Sequence, residues 1–198
     1  MSDIMDHDTD NKSPAFQAFY IESMLFTTFT TVKTFEVFSG EIKKYSQIKT
    51  KEEFLEFNFD AILDPVHSII LNACSLSGYF FPEDDEGKDR ADFLKSALDI
   101  TEKSPLNDPN LKGLNDNFHK KLDYYLANMT EGEVVPRHVG PLSKPDDQII
   151  HLFRGYDPEH GIFEMVGINY KFQPIVEEIV RIHNKVLECQ KNNYKFLS

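Results

Sequence analysis

The sequence predicts a mainly α fold, a helical bundle of four to five helices with a β-hairpin before the C-terminal helix. Three observations carry this expectation. Apolar residues recur at steps of three and four through most of the chain. The stretch at about 148–172 alone changes to short β-branched and aromatic runs around a turn. Beyond Pro174, a stripe of Ile175, Ile179, Ile182, Val186 and Cys189 restores the helical period.

Taken in order, residues 1–13 (MSDIMDHDTDNKS) are acidic and polar and read as a mobile tail. Residues 14–198 read as one domain, a size at which a single core suffices. Ser13-Pro14 is a helix start, with Ser as N-cap and Pro at the first helical position. A Phe-rich helix then runs to about Tyr45, although its middle, TTFTTVKTF, is β-branched and disfavours helix. Thr50 and Glu53 form a capping box that opens a second helix over 50–79, which Pro65 should bend or split. Residues 82–89 are an acidic loop, and a helix follows over 90–99. SPLNDPN is turn chemistry leading into a helix from Leu111 to near Gly132. Residues 133–147, with Pro136, Gly140, Pro141 and Pro145, read as a loop. QIIHLFRGYD and GIFEMVGINYKF then read as two strands joined by the turn 157–161.

Composition excludes several function classes. A net charge of −12 argues against a broad surface for duplex DNA, though not against a small local RNA site. Cys74 and Cys189 lie far apart without a CxxC pattern, so neither a zinc site nor a redox motif is expected. No metal and no cofactor is expected. His160 beside Glu159 lacks a third ligand, and Asp84, Asp85, Glu86 and Asp89 lack the spacing of an EF-hand. No leader-like or membrane-spanning segment is legible, which places the expected protein in the cytoplasm with reduced thiols and no membrane partner.

The densest chemistry lies in LKGLNDNFHKKLDYY, residues 111–125. Leu111, Leu114, Phe118, Leu122 and Tyr125 would share one side of a helix. Lys112, Asn115, Asn117 and His119 fall on the other sides, where they can handle a phosphodiester or form ordinary solvated surface. His119 stands seven residues after Lys112, and Asn115 one turn before His119, so the three would converge on one phosphate.

NACSLSGYFFP, then Arg90, then SPLNDPNLKGLNDNFHKKLDYY, together with IIHLFRGYD and the final helix, resemble the HEPN superfamily, in particular a group of prokaryotic HEPN-like proteins. The resemblance covers roughly residues 65–195. It implies an all-helical, homodimeric bundle in which an Arg-x4-6-His motif from each of two copies forms one metal-independent ribonuclease site. In such a site the Arg holds the phosphate and the His moves the proton of the RNA 2′-hydroxyl. Here the motif is degenerate. With LDYY aligned on the family's end of the motif, Lys112 takes the Arg position, Gly113 the next, and Asn117 the His position. Asn carries no titratable proton at neutral pH, and Lys lacks the guanidinium fork.

The resemblance therefore implies a non-catalytic member acting through homodimerisation and through binding of RNA or an antitoxin-like protein partner. The alternatives are an endoribonuclease of a defence or toxin–antitoxin system, using Lys112, Asn115 and His119, and a scaffold dimer without a nucleic-acid role. Asn117, Arg90 and Arg154 are the candidate binding residues. Arg90 and Arg154 are expected in structural ion pairs with Asp92 and Asp157, or as added positive charge near Lys112. His67 is expected in the core or on a helix surface, and His151 at an exposed strand position.

Overall fold

Ser13 starts the first helix as its chemistry dictates. Its hydroxyl accepts the Phe16 N–H at 3.2 Å, and Pro14 stands where a missing N–H costs nothing. This helix, α1 (Pro14–Tyr45), runs unbroken through the threonine-rich middle. There Thr27, Thr28, Thr30, Thr31 and Thr34 each donate a hydroxyl to the carbonyl one turn back, which satisfies them inside the helix. The computed structural model describes residues 13–112, 114–142 and 149–196, so the tail expected over 1–13 lies outside the described residues apart from Ser13.

The second predicted helix is two. The Thr50–Glu53 capping box opens α2 (Lys51–Glu56), and α3 (Asp60–Phe80) follows. The break falls at 57–59, not at Pro65, which sits inside α3. Asn58 Oδ1 accepts the Asp60 N–H at 3.1 Å and restarts the chain there. Phe57 and Phe59 turn toward Tyr45 and Phe54. Pro65 costs one backbone hydrogen bond, but the same helix buries Ile62, Leu63, Val66, Ile69, Ile70 and Phe80 completely. Burial on that scale outweighs one lost bond.

After α4 (Lys88–Leu98), the motif helix α5 (Leu114–Ala127) is shorter at both ends than the predicted one. Leu111 and Lys112 belong to a turn, tied by the Leu111 N–H to Asp108 O at 3.0 Å and the Leu114 N–H to Leu111 O at 3.2 Å.

A small four-stranded sheet stands where a hairpin was expected. Its strands are β1 (Glu133–Val139), β2 (Ile150–Asp157), β3 (Ile162–Met165) and β4 (Ile168–Lys171), in the order β1-β2-β3-β4. The expected loop over 133–147 thus contains a strand, β1, which pairs parallel to β2 with Val135 opposite Leu152 and Arg137 opposite Arg154. Pro136 is tolerated because β1 lies at the sheet edge. β2 and β3 form the predicted hairpin, closed by the Gly161 N–H to Asp157 O at 2.9 Å. GIFEMVGINYKF splits again at Val166-Gly167, where both residues have positive φ (44° and 77°), as a two-residue hairpin turn demands.

The final helix, α6 (Phe172–Lys191), places Pro174 in its first turn and buries the predicted stripe. The described residues therefore form six helices, α2 being very short, against the four to five expected. α1 packs along α3 and α6, and Phe172 joins the sheet to them through Phe35, Phe38 and Tyr156. Arg154 bridges Asp60 (2.7 Å) and Asp64 (2.6 Å) at the start of α3, and Arg137 also reaches Asp60 (2.5 Å). The expected Arg154–Asp157 pair is not formed, because Asp157 faces back to bond the His160 ring at 2.9 Å and the Leu142 N–H at 3.3 Å.

Two packed histidines set a pH dependence. Burial, then the Arg154 charge, lowers the His67 pKa. Burial lowers that of His183, whose Nδ1 meets Thr28 Oγ1 at 2.9 Å. A base that folding keeps neutral takes up its proton more readily in the unfolded chain. Stability is therefore expected to fall as pH drops below about 6.5, the ordinary histidine value. His160 acts in the opposite sense, since Asp157 raises its pKa and its contribution fades as pH rises. Thermal melts from pH 7.5 to 5.0 test this. The wild type should lose melting temperature on acidification, and a His67→Gln/His183→Gln variant should lose less. An unchanged slope in that variant would refute the assignment.

Candidate functional site

The end of α3 is built from small residues, and this opens a cleft. Cys74, Ser75, Ser77 and Gly78 leave room that larger side chains would fill, and Phe81-Pro82 turns the chain away. Asp84 Oδ1 accepts the Gly87 N–H at 3.2 Å and curls the acidic loop toward α4. At Gly87 a Cβ would stand 2.7 Å from Arg90 Nη2 and 2.8 Å from Pro82 Cβ, so only glycine allows the loop to approach. The resulting cleft, of about 570 Å³, is lined by Arg90 from the first turn of α4 and by Lys112 from the turn before α5.

The polar groups in this cleft are incompletely paired. Arg90 Nη2 donates to Gly78 O at 3.1 Å, which fixes the guanidinium against α3. Arg90 Nε and Ser77 Oγ are buried with no partner among the described residues. Buried donors without acceptors carry a desolvation cost. Glu83, Asp84 and Glu86, all exposed, line the same cleft, so three carboxylates share it with the two cations. Lys112 and Arg90 supply charge-assisted donors, and no histidine lines the cleft among the described residues.

The predicted site residues divide. Arg90 and Lys112 are brought together. The expected Arg90–Asp92 pair is absent, because Asp92 binds Lys95 at 3.0 Å. Arg154 is committed at the far end of α3, against Asp60 and Asp64. Asn117 is half-buried on α5 and His119 is exposed there, and neither lines the cleft. Asn115 belongs to α5, but its side chain, like all of Gly113, lies outside the described residues. Lys112 precedes α5, so the two-turn spacing that would align it with His119 on one helix does not hold. Sequence reasoning missed Cys74, Ser77 and Gly78, whose only signal was the run of small residues.

His151 is buried, not exposed as strand alternation predicted, because α5 covers that side of the sheet. Its Nε2 lies 3.0 Å from Thr130 O, an atom that only accepts, so Nε2 carries the proton. Nδ1 then accepts the Tyr125 hydroxyl at 3.1 Å. Burial, with Glu164 nearby, pushes the Tyr125 phenol up, which keeps that donor protonated. Among the described residues no group of three or more His, Cys, Asp or Glu is arranged to hold a metal ion. No helix among them is long and apolar enough to cross a membrane.

No family model, curated protein or solved structure matches the chain.

Proposed function

We propose that this chain is a HEPN-like homodimer that binds RNA without cleaving it, seating a backbone phosphate between Arg90 and Lys112. One observation carries the reading. Two cations from separate elements line a single cleft, and one of them, Arg90, is fixed there by the bond from its Nη2 to Gly78 O. The chemistry is retention of a phosphate rather than its hydrolysis. The ribonuclease chemistry that the resemblance implies moves its proton through an imidazole, and His119 stands elsewhere, exposed on α5. The resemblance of the middle of the chain to HEPN proteins supports the dimer, as do the exposed Phe19 and Phe26 on α1. The net charge of −12 fits a local phosphate seat better than a groove that tracks a long polyanion.

The test is fluorescence anisotropy with a labelled single-stranded RNA, repeated across salt concentrations in EDTA with product analysis. Binding without cleavage is expected. Arg90→Lys and Lys112→Ala should each weaken it by about tenfold, the scale of one charge-assisted hydrogen bond. Lys112→Ala should also reduce the salt slope by about one. Cleavage that disappears in His119→Ala would replace this reading with that of an endoribonuclease. No binding, and no RNA-induced shift in melting temperature, would leave a scaffold dimer.

A further inference from the structure

A second cleft lies between α5 and the β3–β4 turn, with a volume of about 610 Å³. That is ample for a small organic ligand. Its lining is largely apolar and aromatic, with Tyr124, Tyr125, Met129 and Ile168. We propose that this cleft binds a flat aromatic ring carrying one acidic group, stacked on Tyr124 and ion-paired to Lys120. The proposal is independent of the RNA reading, because it shares no lining residue with the Arg90 cleft.

The floor of the cleft is rigid. Val166 is buried with φ +44°, a left-handed conformation that a β-branched residue seldom adopts. Gly167 follows at φ +77°, and a Cβ there would stand 2.9 Å from the Tyr125 ring. The turn is thus pressed against α5 with no room for a side chain. Tyr125 is pinned in turn by His151, whose other nitrogen is held by Thr130. Strain of this kind persists where surrounding structure holds it, and it leaves a preformed wall beneath the opening.

The chemistry of the occupant follows from what remains uncommitted. Tyr124 is 73% exposed, so its ring is open to a stacking partner. Lys121 Nζ is spent on Asn110 O at 2.9 Å. Lys120 is exposed and has no partner among the described residues, so one cation is available at the mouth. Asn128 Nδ2 donates to Tyr124 O at 2.7 Å, which leaves the Asn128 side-chain oxygen as an acceptor. The carbonyl end of α5 lies on the Asn128 side and disfavours an anion there. The acid therefore points to Lys120, and an N–H of the ring system, within the ring as in indole or exocyclic as in adenine, points to Asn128. Free aromatic acids with an N–H on the ring system, such as indole acids, and mononucleotides share this pattern.

Indole-3-acetate is the probe, because the chain contains no Trp and the indole emission is read without interference. A saturable rise in its fluorescence anisotropy is expected on titration with wild-type protein. Lys120→Ala and Tyr124→Ala should each weaken binding about tenfold, as should removing the acid by using indole. Both side chains are exposed, so the variants should melt like the wild type. Arg90→Lys should bind the probe normally, which separates this site from the RNA cleft. Competition by AMP would identify mononucleotides as the source of the ring and acid, and its failure would identify free aromatic acids. The proposal is overturned if no saturable rise occurs at millimolar probe, or if either Lys120→Ala or Tyr124→Ala keeps wild-type affinity.

Discussion

Phe172→Ala should destabilise the protein by about 3–5 kcal/mol, the range found when a buried Phe is cut to Ala. The ring is 1% exposed. It lies 4.9 Å from the Phe38 ring, 5.7 Å from Tyr156 and 6.3 Å from Phe35, all measured between centroids. These partners come from α1 and β2, while Phe172 itself is the first residue of α6. The vacancy would therefore open where three elements meet, and none of them can close it without shifting the other two. For a chain of this size the melting temperature should fall on the order of 10 °C. Phe172→Leu, which keeps most of the volume, should lose less than half as much. Urea denaturation measures both. A loss below about 1 kcal/mol for Phe172→Ala would mean that the junction collapses freely and that the cluster is not a joint.

Phe26→Glu should turn a dimer into a monomer, raising the dissociation constant by about a hundredfold or more. Phe19 and Phe26 are each 76% exposed on α1, and Phe29 and Val37 lie more than half in solvent. Val37 follows Phe19 by five full helical turns and Phe26 follows it by about two, so the three share one face. Phe19 and Val37 stand at equal distances from the level of Thr28. Two copies of α1 crossing antiparallel at that level would set each Phe19 against Val37 of the partner subunit. Glu22 would then lie near Lys33 of the partner subunit. A face that matches itself on rotation is the requirement of a two-fold interface. Light scattering at micromolar concentration should give twice the 22.9 kDa chain mass for the wild type and the single mass for Phe26→Glu. Melting of the variant at high dilution should match the wild type, because the side chain supports nothing within its own subunit. A wild type that scatters as a monomer would remove the dimer.

Local signals carried most of the helical architecture. The Ser13-Pro14 start, the Thr50–Glu53 capping box and the stripe of α6 each depend on residues a few positions apart, and each is found where the sequence placed it. β1 was hidden because its warrant is not local. Pro136, Gly140 and Pro141 are loop-forming in isolation, and only a parallel neighbour beginning at Ile150 makes a strand of the segment. His151 was misread for a related reason, since alternation says which side a residue takes but not whether a helix covers that side.

The candidate site was half legible. Arg90 and Lys112 were named, and the possibility that they share charge was foreseen. Their common cleft depends on the glycine at 87 and on small residues of α3, which carry no chemical flag. Lys112 was placed on a helix because Leu111 and Leu114 keep the period, yet the Leu111–Asp108 and Leu114–Leu111 backbone bonds make that stretch a turn.

The first helix is sewn to the last, and to the segment after it, by Thr28 with His183, Glu22 with Gln190, and Gln17 with the Phe196 amide. These partners stand more than 150 residues apart, so α1, which can pack on α3 early, gains its second helical neighbour only when translation has nearly finished. Until then a nascent chain on the ribosome would leave the Thr28 side of α1, where Met24 and Ile21 lie one and two turns before it, as a half-covered greasy seam. Such a seam is a foothold for chaperones, and ribosomes stalled before α6 should yield chains that proteases clear quickly.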